Sequence, residues 1–439
     1  MKYSSFPLMT IFIFITLIGA LLYGQEALPA GQQLPIALGL LAFSLALTEV
    51  FIALRPKYLE HKIGLPVMYS IHGVMAIVLI IVVILHIGSE LNVPKAFALL
   101  QFTLPMGIVA LVFLVLTMLT GMFILSKTFI QKSRTFMRLK ETVFKRELGL
   151  WVHRLSVLAV LAIFIHMISV GFVRSNIVLT VLSGLYVILA VGGYLASNVS
   201  KELLPKYILR QCSERNSSVH ELEFEPQKGF LTYQAGQYVF VRFVKSALPK
   251  ESHPFSFTSA PIKGSVSLQV MVKNSGDYTS LINKLKSGDI ATLEGPYGNF
   301  MDRNTALADT PLVMLAGGIG ITPILSILRD QMETQPSRNI VLAWGLATQK
   351  DLLLLDELQN MGQKNPNFFY HIIFSREHVE PFDFGRISPK YLQSIGVNVL
   401  YPKADFFICG PAPMMDSMKR ILKDNNVSSD KIHIEEFSF

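Results

Sequence analysis

The first half of the chain consists of long apolar runs separated by short polar loops. The runs lie near residues 6–24, 35–54, 66–88, 104–125, 151–173 and 177–195. Each approaches the roughly 20 residues that a helix needs to cross a hydrocarbon core of about 30 Å. No small-residue cleavage site follows the first run, which we therefore interpret as a span rather than a signal peptide. The pattern predicts a bundle of six transmembrane helices.

From about residue 201 the pattern changes to that of a soluble protein. The stretches GQYVFVRFV and SVSLQVMVK alternate like strands and are bounded by Gly and Pro, which predicts an antiparallel β-barrel. Farther on, apolar strands are followed by helical periods, as in PLVMLAGGIGITPILSILRDQM, which is typical of an α/β domain with a parallel sheet. We therefore expect a multidomain membrane protein with a bundle over 1–200, a barrel over 201–305 and an α/β domain over 306–439.

The basic residues of the loops predict the orientation in the membrane. The loop after the second run holds Arg55, Lys57 and Lys62, the loop after the fourth holds seven Lys or Arg between 127 and 146, and the other loops hold only Lys95 and Arg174. Cytoplasmic loops carry such an excess, so both termini and the soluble half should be cytoplasmic, most simply at the plasma membrane. Topology thus accounts for the net charge of +8, and no nucleic-acid partner is expected.

The two cysteines limit the redox chemistry that the chain can hold. Cys212 and Cys409 both fall in the predicted cytoplasmic half, where no disulfide is expected. Two thiolates do not suffice for an ordinary iron–sulfur cluster. The chain has no CxxCH motif, which excludes a covalent c-type haem.

Histidine pairs in the third and fifth runs are the first candidate site. His72 and His86 are 14 residues apart, and His153 and His166 are 13 apart. These separations are about 21 and 20 Å along a helix, so each run carries one imidazole in each half of the bilayer. Both runs point the same way, which pairs His72 with His153 and His86 with His166. Opposed imidazoles make a bis-histidine iron site, and we predict two b-type haems.

Three points remain open at this stage. A lone membrane histidine is more often a bundle-facing polar residue, although two matched pairs favour ligands. Fourteen residues come within about 40° of four whole turns, whereas 13 miss by about 140°, so the fifth run needs a distortion or rings that approach from different sides. Arg154 can pair with a haem propionate or serve as a positive-inside anchor.

Five motifs occur in the soluble half in a fixed order. They are HPFSFTS at 253–259, GDYTS at 276–280, EGPYG at 294–298, LAGGIGITP at 315–323 and CGP at 409–411. The set resembles the FAD/NAD(P)H module of the ferredoxin–NADP reductase type. With paired histidines in six spans, the chain from about residue 35 to Phe439 resembles the ferric reductase and NADPH oxidase superfamily.

The resemblance implies roles for individual residues. Ser256 would hydrogen-bond the flavin N5 edge and, with Cys409 and a stacked terminal Phe439, would form the catalytic set. The remaining flavin contacts would be His253, Pro254, Phe255, Thr258 and Ser259, with Gly276, Thr279 and Ser280 at the FAD pyrophosphate. The nicotinamide would lie between Gly317, Gly318, Gly320, Thr322 and Pro323 on one side and Cys409, Gly410 and Pro411 on the other.

A basic residue at a strand end bears on the choice of nucleotide. Ser375 and Arg376 follow the strand-like FYHIIF, and a guanidinium there can grip the 2′-phosphate of NADPH. This favours NADPH over NADH, although a solvated arginine is the competing interpretation.

The expected function is electron transfer from NADPH through FAD and two haems to a small molecule at the outer face. Oxygen, giving superoxide, is favoured, and a ferric or cupric chelate is the alternative. Glu90 stands where the resemblance to animal NADPH oxidases would place a further histidine, which weakens an oxygen site of their kind. A third possibility is a haem-free anchor that tethers a flavin reductase. Besides membrane lipid, no obligate partner is expected.

Overall fold

The computed structural model describes residues 5–22, 31–90, 97–125, 146–261, 267–307 and 309–436. The chain divides after Glu202 into two compact units. Phe439, Lys95 and nearly all of the basic loop at 127–146 lie outside the described residues. The predicted domain boundaries at 200 and 305 stay predictions.

The N-terminal unit is helical throughout its described part. Its helices are α1 Ser5–Leu22, α2 Gln33–Ala53, α3 Lys57–Ile63, α4 Leu65–Glu90, α5 Phe97–Leu125, α6 Arg146–His153, α7 Ser156–Ser169, α8 Gly171–Ser175 and α9 Ile177–Glu202. Five described segments are long and apolar enough to cross a membrane: Gln33–Ala53, Leu65–Glu90, Thr103–Gly121, Trp151–Ser169 and Ile177–Glu202. The apolar part of α1, Met9–Leu22, is shorter, so the count of six stays a prediction.

Two helix pairs organise this unit. Helix α2 packs along α4, and α5 packs along α6 and α7. Polar side chains tie α1 to its neighbours, because Thr10 Oγ1 donates to Thr48 Oγ1 at 3.0 Å and Asn176 Nδ2 donates to Ala20 O at 2.8 Å. Large apolar side chains such as Ile84 and Ile188 are exposed on the outside, as suits a surface that faces lipid.

The fifth apolar run is broken directly after its first histidine. Helix α6 ends at His153 and α7 begins at Ser156. Across the break, Leu155 N donates to Val152 O at 3.0 Å and Leu158 N donates to Leu155 O at 2.9 Å, so three-residue spacing replaces the α-helical four. The break changes the rotation between the two parts of the run, and the imidazoles on its two sides both reach carbonyls of α5.

The first sheet of the C-terminal unit is antiparallel, as predicted. Its strands are β1 Lys206–Asn216, β2 Val219–Pro226, β3 Tyr238–Lys245, β4 Ser252–Ser256, β5 Leu268–Lys273 and β6 Ile290–Tyr297, in the order β4-β3-β6-β1-β2-β5. Side chains such as Val239, Val241 and Phe243 fill its core at period two. An isolated bridge joins Phe257 to Val270 near the two sheet edges, but closure into a barrel stays a prediction.

The second sheet is parallel, also as predicted. Its strands are β7 Leu312–Gly317, β8 Ile340–Leu346, β9 Phe368–Phe374, β10 Asp383–Phe384, β11 Asp405–Cys409 and β12 Ile432–Glu435. The helices are α10 Arg303–Leu307, α11 Ile321–Thr334, α12 Leu355–Lys364, α13 Pro389–Ser394 and α14 Ala412–Asp424. The strand order β10-β9-β8-β7-β11-β12 reverses direction between β7 and β11. Ligands of open α/β sheets bind at such a switch point, outside the carboxyl ends of the strands.

Candidate functional site

Two pairs of imidazoles meet inside the helical unit. The ring centroids of His72 and His153 are 5.8 Å apart with ring planes crossed at 76°, and those of His86 and His166 are 6.3 Å apart and crossed at 83°. All four side chains are half-buried. The structure therefore pairs the histidines in the combination that the sequence predicts.

Three of these rings are oriented by backbone carbonyl groups. The Nδ1 atom of His86 donates to Pro35 O at 2.9 Å. His153 donates in the same way to Thr117 O at 3.0 Å, and His166 to Thr103 O at 2.8 Å. A ring whose Nδ1 holds the proton keeps the lone pair of Nε2 free, which is the state that ligates a metal.

A glycine accompanies each of these three carbonyls, four residues farther along the helix. A Cβ at Gly39 would lie 3.3 Å from the ring of His86, and one at Gly107 would lie 3.1 Å from the ring of His166. At Gly121 the distance to the ring of His153 is 3.5 Å. A helical side chain covers the turn before its own Cα, so only glycine leaves the carbonyl one turn back open to an imidazole.

The fourth ring, that of His72, has a different partner. Its Nδ1 atom contacts the carboxylate of Glu49 on α2. Pro35 and Glu49 are 14 residues apart on α2, and Thr103 and Thr117 are 14 apart on α5. The partner helices therefore repeat the histidine spacing of α4. This set was not predicted from the sequence, although its repeated 14-residue spacing is visible there.

The donor set fits iron porphyrin. With about 2 Å for each metal–nitrogen bond and about 1 Å from that nitrogen to its ring centre, two imidazoles on one metal have centroids about 6 Å apart. The observed separations of 5.8 and 6.3 Å match. Each pair offers two protein ligands, the number that a bis-histidine haem takes.

Strand β4 carries the predicted flavin contacts in the C-terminal unit. His253, Pro254 and Phe255 are half-buried, and Ser256 pairs with Tyr238 on β3. The hydroxyls of Ser256 and Thr258 are buried and have no hydrogen-bond partner among the described residues. Because buried hydroxyls are rarely left unpaired, these two fit a site completed by a polar ligand such as a flavin ring.

An aromatic residue that the sequence analysis did not single out packs against this strand. The rings of His253 and Tyr278 are stacked with centroids 3.7 Å apart. Burial raises the pKa of Tyr278, so its phenol stays neutral. Tyr278 is part of the GDYTS motif, so the sequence contained a signal for its role at this site.

Ser259 makes contacts of another kind. Its hydroxyl lies 2.8 Å from Tyr233 Oη and accepts from Gln269 N at 3.1 Å. Burial raises the pKa of that tyrosine to about 12. The protein thus uses the Ser259 hydroxyl to join the end of HPFSFTS to the sheet.

The predicted pyrophosphate turn is held by its own hydroxyls. The backbone N–H groups of Ser275 and Gly276 donate to Thr279 Oγ1 at 2.9 and 3.0 Å, and Ser280 Oγ donates to Asp277 O at 2.7 Å. The segment Thr279–Lys284 is a 3₁₀ helix.

The Gly-rich loop and the CGP motif pack against each other at the switch point. A Cβ at Gly320 would lie 2.3 Å from Cys409 O, and one at Gly317 would lie 2.7 Å from Pro411 Cδ. A Cβ at Gly410 would lie 3.0 Å from the Gly317 backbone. Glycine is therefore required for the two strand ends to approach so closely.

The remaining loop residues shape the opening of this crevice. Gly318 has φ +53 and nothing within 4 Å of a Cβ position, so it borders open space. Trp344 Nε1 donates to Gly318 O at 2.9 Å, a support that the sequence analysis did not identify. Thr322 Oγ1 donates to Ile319 O at 3.0 Å, and Pro323 is buried behind it.

Cys409 and Arg376 differ in exposure. The thiol of Cys409 is fully buried, and burial, with a further contribution from Glu435, raises its pKa well above the usual value. Ser375 Oγ donates to Leu346 O at 3.1 Å, whereas the side chain of Arg376 is exposed at the end of β9. An exposed guanidinium there is free to meet a phosphate.

Comparison with known proteins identifies both folds of the C-terminal unit. Residues 207–301 match the family model of an FAD-binding domain, and residues 314–420 match that of an oxidoreductase NAD-binding domain. The predicted flavin and nicotinamide module of the ferredoxin–NADP reductase type is thereby confirmed, and the pairing is consistent with the ferric reductase and NADPH oxidase superfamily.

Curated relatives share this part of the chain. A flavohemoprotein of Halalkalibacterium halodurans is 26% identical over 251 residues, covering 53% of this chain and 59% of the relative. The reductase component of propane 2-monooxygenase from Rhodococcus jostii is 28% identical over 43% of this chain and 52% of its own. The chain thus spans between about half and three-fifths of the length of these relatives.

A solved structure is similar over the same extent. The FAD/NAD-binding domain of nitric oxide dioxygenase from Vibrio cholerae is 20% identical, with a TM-score of 0.47, covering 53% of this chain and 97% of that one.

Proposed function

We infer that this chain, whose C-terminal unit carries an FAD-binding domain followed by an NAD-binding domain, is a transmembrane oxidoreductase. It takes electrons from cytoplasmic NADPH and delivers them through FAD and two b-type haems to an acceptor at the outer face of the plasma membrane. The observation that carries this inference is the pair of crossed imidazole contacts, at 5.8 and 6.3 Å, in a chain that also holds a flavin module.

The protein residues position the cofactors. His72 with His153 and His86 with His166 would hold the two haems, and Gly39, Gly107 and Gly121 let three of these rings lock onto backbone carbonyls. When bound, the flavin accepts two electrons together as a hydride and releases them singly, and each haem iron carries one at a time.

In the C-terminal unit, hydroxyls and glycines orient the reacting rings. The unpartnered Ser256 hydroxyl would donate to the flavin N5 edge, and the glycines at the switch point would let the nicotinamide approach closely. The neutral, buried thiol of Cys409 would add no charge beside a bound nicotinamide. Arg376 would bind the 2′-phosphate, which favours NADPH over NADH.

We favour oxygen as the acceptor. Each NADPH would become NADP⁺ with release of one proton, and its two electrons would reduce two oxygen molecules to two superoxide ions. HPFSFTS, GDYTS and the EEFSF segment at 435–439 favour the oxidase branch of the resembled superfamily.

The second candidate is a ferric or cupric chelate reductase. Glu90, an exposed carboxylate at the outer end of α4, favours it because it would attract a cation. Exposed Arg174 would instead draw an anionic chelate or superoxide.

The deciding experiment measures haem and flavin in the purified full chain and then titrates it with NADPH without oxygen. Two haems per FAD that NADPH reduces would support the proposal. Protein without a Soret band, or with haem retained after all four histidines are replaced, would identify the helical unit as an anchor.

The acceptor requires a separate assay. Reduction of cytochrome c that superoxide dismutase abolishes would support oxygen. Reduction of a ferric chelate as the only activity, in the absence of oxygen, would support the metal reductase.

A further inference from the structure

The four histidines are not supported equally. His86, His153 and His166 donate from Nδ1 to neutral backbone carbonyls of α2 and α5. His72 alone rests against a carboxylate, that of Glu49. One imidazole pair therefore has a buried carboxylate against one of its rings, whereas the rings of the other pair donate to backbone carbonyls.

Glu49 occupies a place where a carboxylate is unusual. It lies on the membrane-spanning helix α2, and its side chain is only 11% exposed. The next residue, Val50, is buried, as are Ala46 and Leu47 on the preceding turn. Acidic groups at such depth are costly, and those that occur usually face a partner within the bundle and mark a functional site. The contact with His72 supplies such a partner.

A carboxylate acts on an imidazole more strongly than a carbonyl does. A hydrogen bond to an ionised acceptor is roughly twice as strong as one between neutral groups. A carboxylate that accepts from the outer nitrogen of a ligating histidine raises the basicity of the nitrogen that binds the metal. A more basic ligand and a nearby negative charge both stabilise the ferric form over the ferrous form, which lowers the reduction potential.

We propose that Glu49 is a positioning residue that lowers the reduction potential of the haem held by His72 and His153 below that of the haem held by His86 and His166. The inference rests on the proposed function, because it requires that both pairs hold haem. Electrons that enter at the His72 pair would then pass to the His86 pair in the downhill direction. The carboxylate thus makes electron transfer from the haem of the His72 pair to that of the His86 pair thermodynamically favourable.

The test replaces Glu49 with Gln in the full haem-loaded chain. Glutamine keeps the shape and an acceptor oxygen but removes the charge. A potentiometric titration should show the potential of one haem rising, with a change of about 59 mV for each tenfold change in its reduction equilibrium, while the other haem stays unchanged. Glu90→Gln makes the same chemical change at the other end of α4 and should leave the His72 haem unaltered.

Each outcome has a definite consequence. Two bound haems with wild-type potentials in Glu49→Gln would overturn the inference and leave the proposed function intact. A wild-type protein without haem would overturn the proposed function instead. If Glu49→Gln does not retain haem, the test uses His153→Ala instead, and compares the haem that this variant lacks with the two reduction potentials of the wild type. The haem missing from that variant must be the one with the lower wild-type potential, and an equal or higher potential would refute the inference.

Discussion

The glycines beside the histidines predict that alanine substitutions will weaken haem binding to different extents. A Cβ at Gly107 would lie 3.1 Å from His166 Cε1 and 3.2 Å from its Nδ1, short of ordinary contact by a few tenths of an ångström. The ring cannot retreat freely, because its Nδ1 is bonded to Thr103 O at 2.8 Å. Gly107→Ala should therefore displace the imidazole from its ligating position.

The expected size of the effect follows from the packing. Overpacking by one methyl group costs about 1–3 kcal/mol, which weakens haem binding at the His86 and His166 site about 5- to 150-fold. Alanine in place of glycine favours a helix by up to about 1 kcal/mol, so the loss should not come from unfolding. Gly121→Ala, at 3.5 Å from His153, should have little effect on the other site.

The assay follows transfer of haem from the purified variants to apomyoglobin and reports the haem-to-flavin ratio over time. Gly192→Ala is the matched control, because it changes a glycine of the spanning helix α9 with nothing within 4 Å of the new Cβ. Equal haem retention in Gly107→Ala and wild type would refute the reasoning, as would equal loss in Gly192→Ala.

Three further predictions concern other parts of the chain. His72→Ala and His153→Ala should each remove one haem and stop reduction of the outer acceptor, while NADPH still reduces the flavin in stopped-flow absorbance; retained outer turnover would contradict the ligand assignment. Arg376→Gln should raise the KM for NADPH about tenfold or more and leave that for NADH nearly unchanged, because only NADPH carries the 2′-phosphate; equal changes for both nucleotides would place the phosphate elsewhere. Cys409 should make the free energy of unfolding fall at alkaline pH. Below the pKa of about 8.5 in the unfolded chain, the thiol is neutral in the folded and the unfolded state. Above it, the unfolded chain loses the proton that the buried thiol of the folded state keeps, because burial raises the pKa of that thiol. Between pH 8 and 9.5 the Tm of wild type should therefore fall more steeply than that of Cys409→Ala, and parallel curves would show that the burial has no such effect.

Sequence patterns predicted the redox framework because its periodicities are local. The spacing of His72 and His86 gave one face of a helix, and the motif order gave a flavin domain before a nicotinamide domain. The spacing of His153 and His166 called for either a distortion or rings that approach from different sides, and the structure has a helix break at 154–155. Its position could not be derived, because no proline or glycine marks it.

The supporting residues were harder to find because their roles depend on contacts between helices. Glu49 is a single acidic residue in an apolar run, and only its 14-residue distance from Pro35 relates it to the histidine spacing. Gly107 looks like an ordinary small residue until the neighbouring helix presents a ring to it. Ser259 matched a motif, and its hydroxyl accepts from Gln269 N of β5, so its contact with the flavin stays a prediction. Phe439 lies outside the described residues, so its stacking role stays a prediction.

The shared 14-residue interval on α2, α4 and α5 sets how many levels of histidines and their hydrogen-bond acceptors the bundle can hold. One interval rises about 21 Å, which fits within a hydrocarbon layer of about 30 Å. A third level of histidines would need helices that rise about 42 Å between the first and the last of these residues. Such helices would extend beyond the hydrocarbon layer. The thickness of the bilayer, rather than the chemistry of imidazole, therefore limits an architecture of this period to two levels.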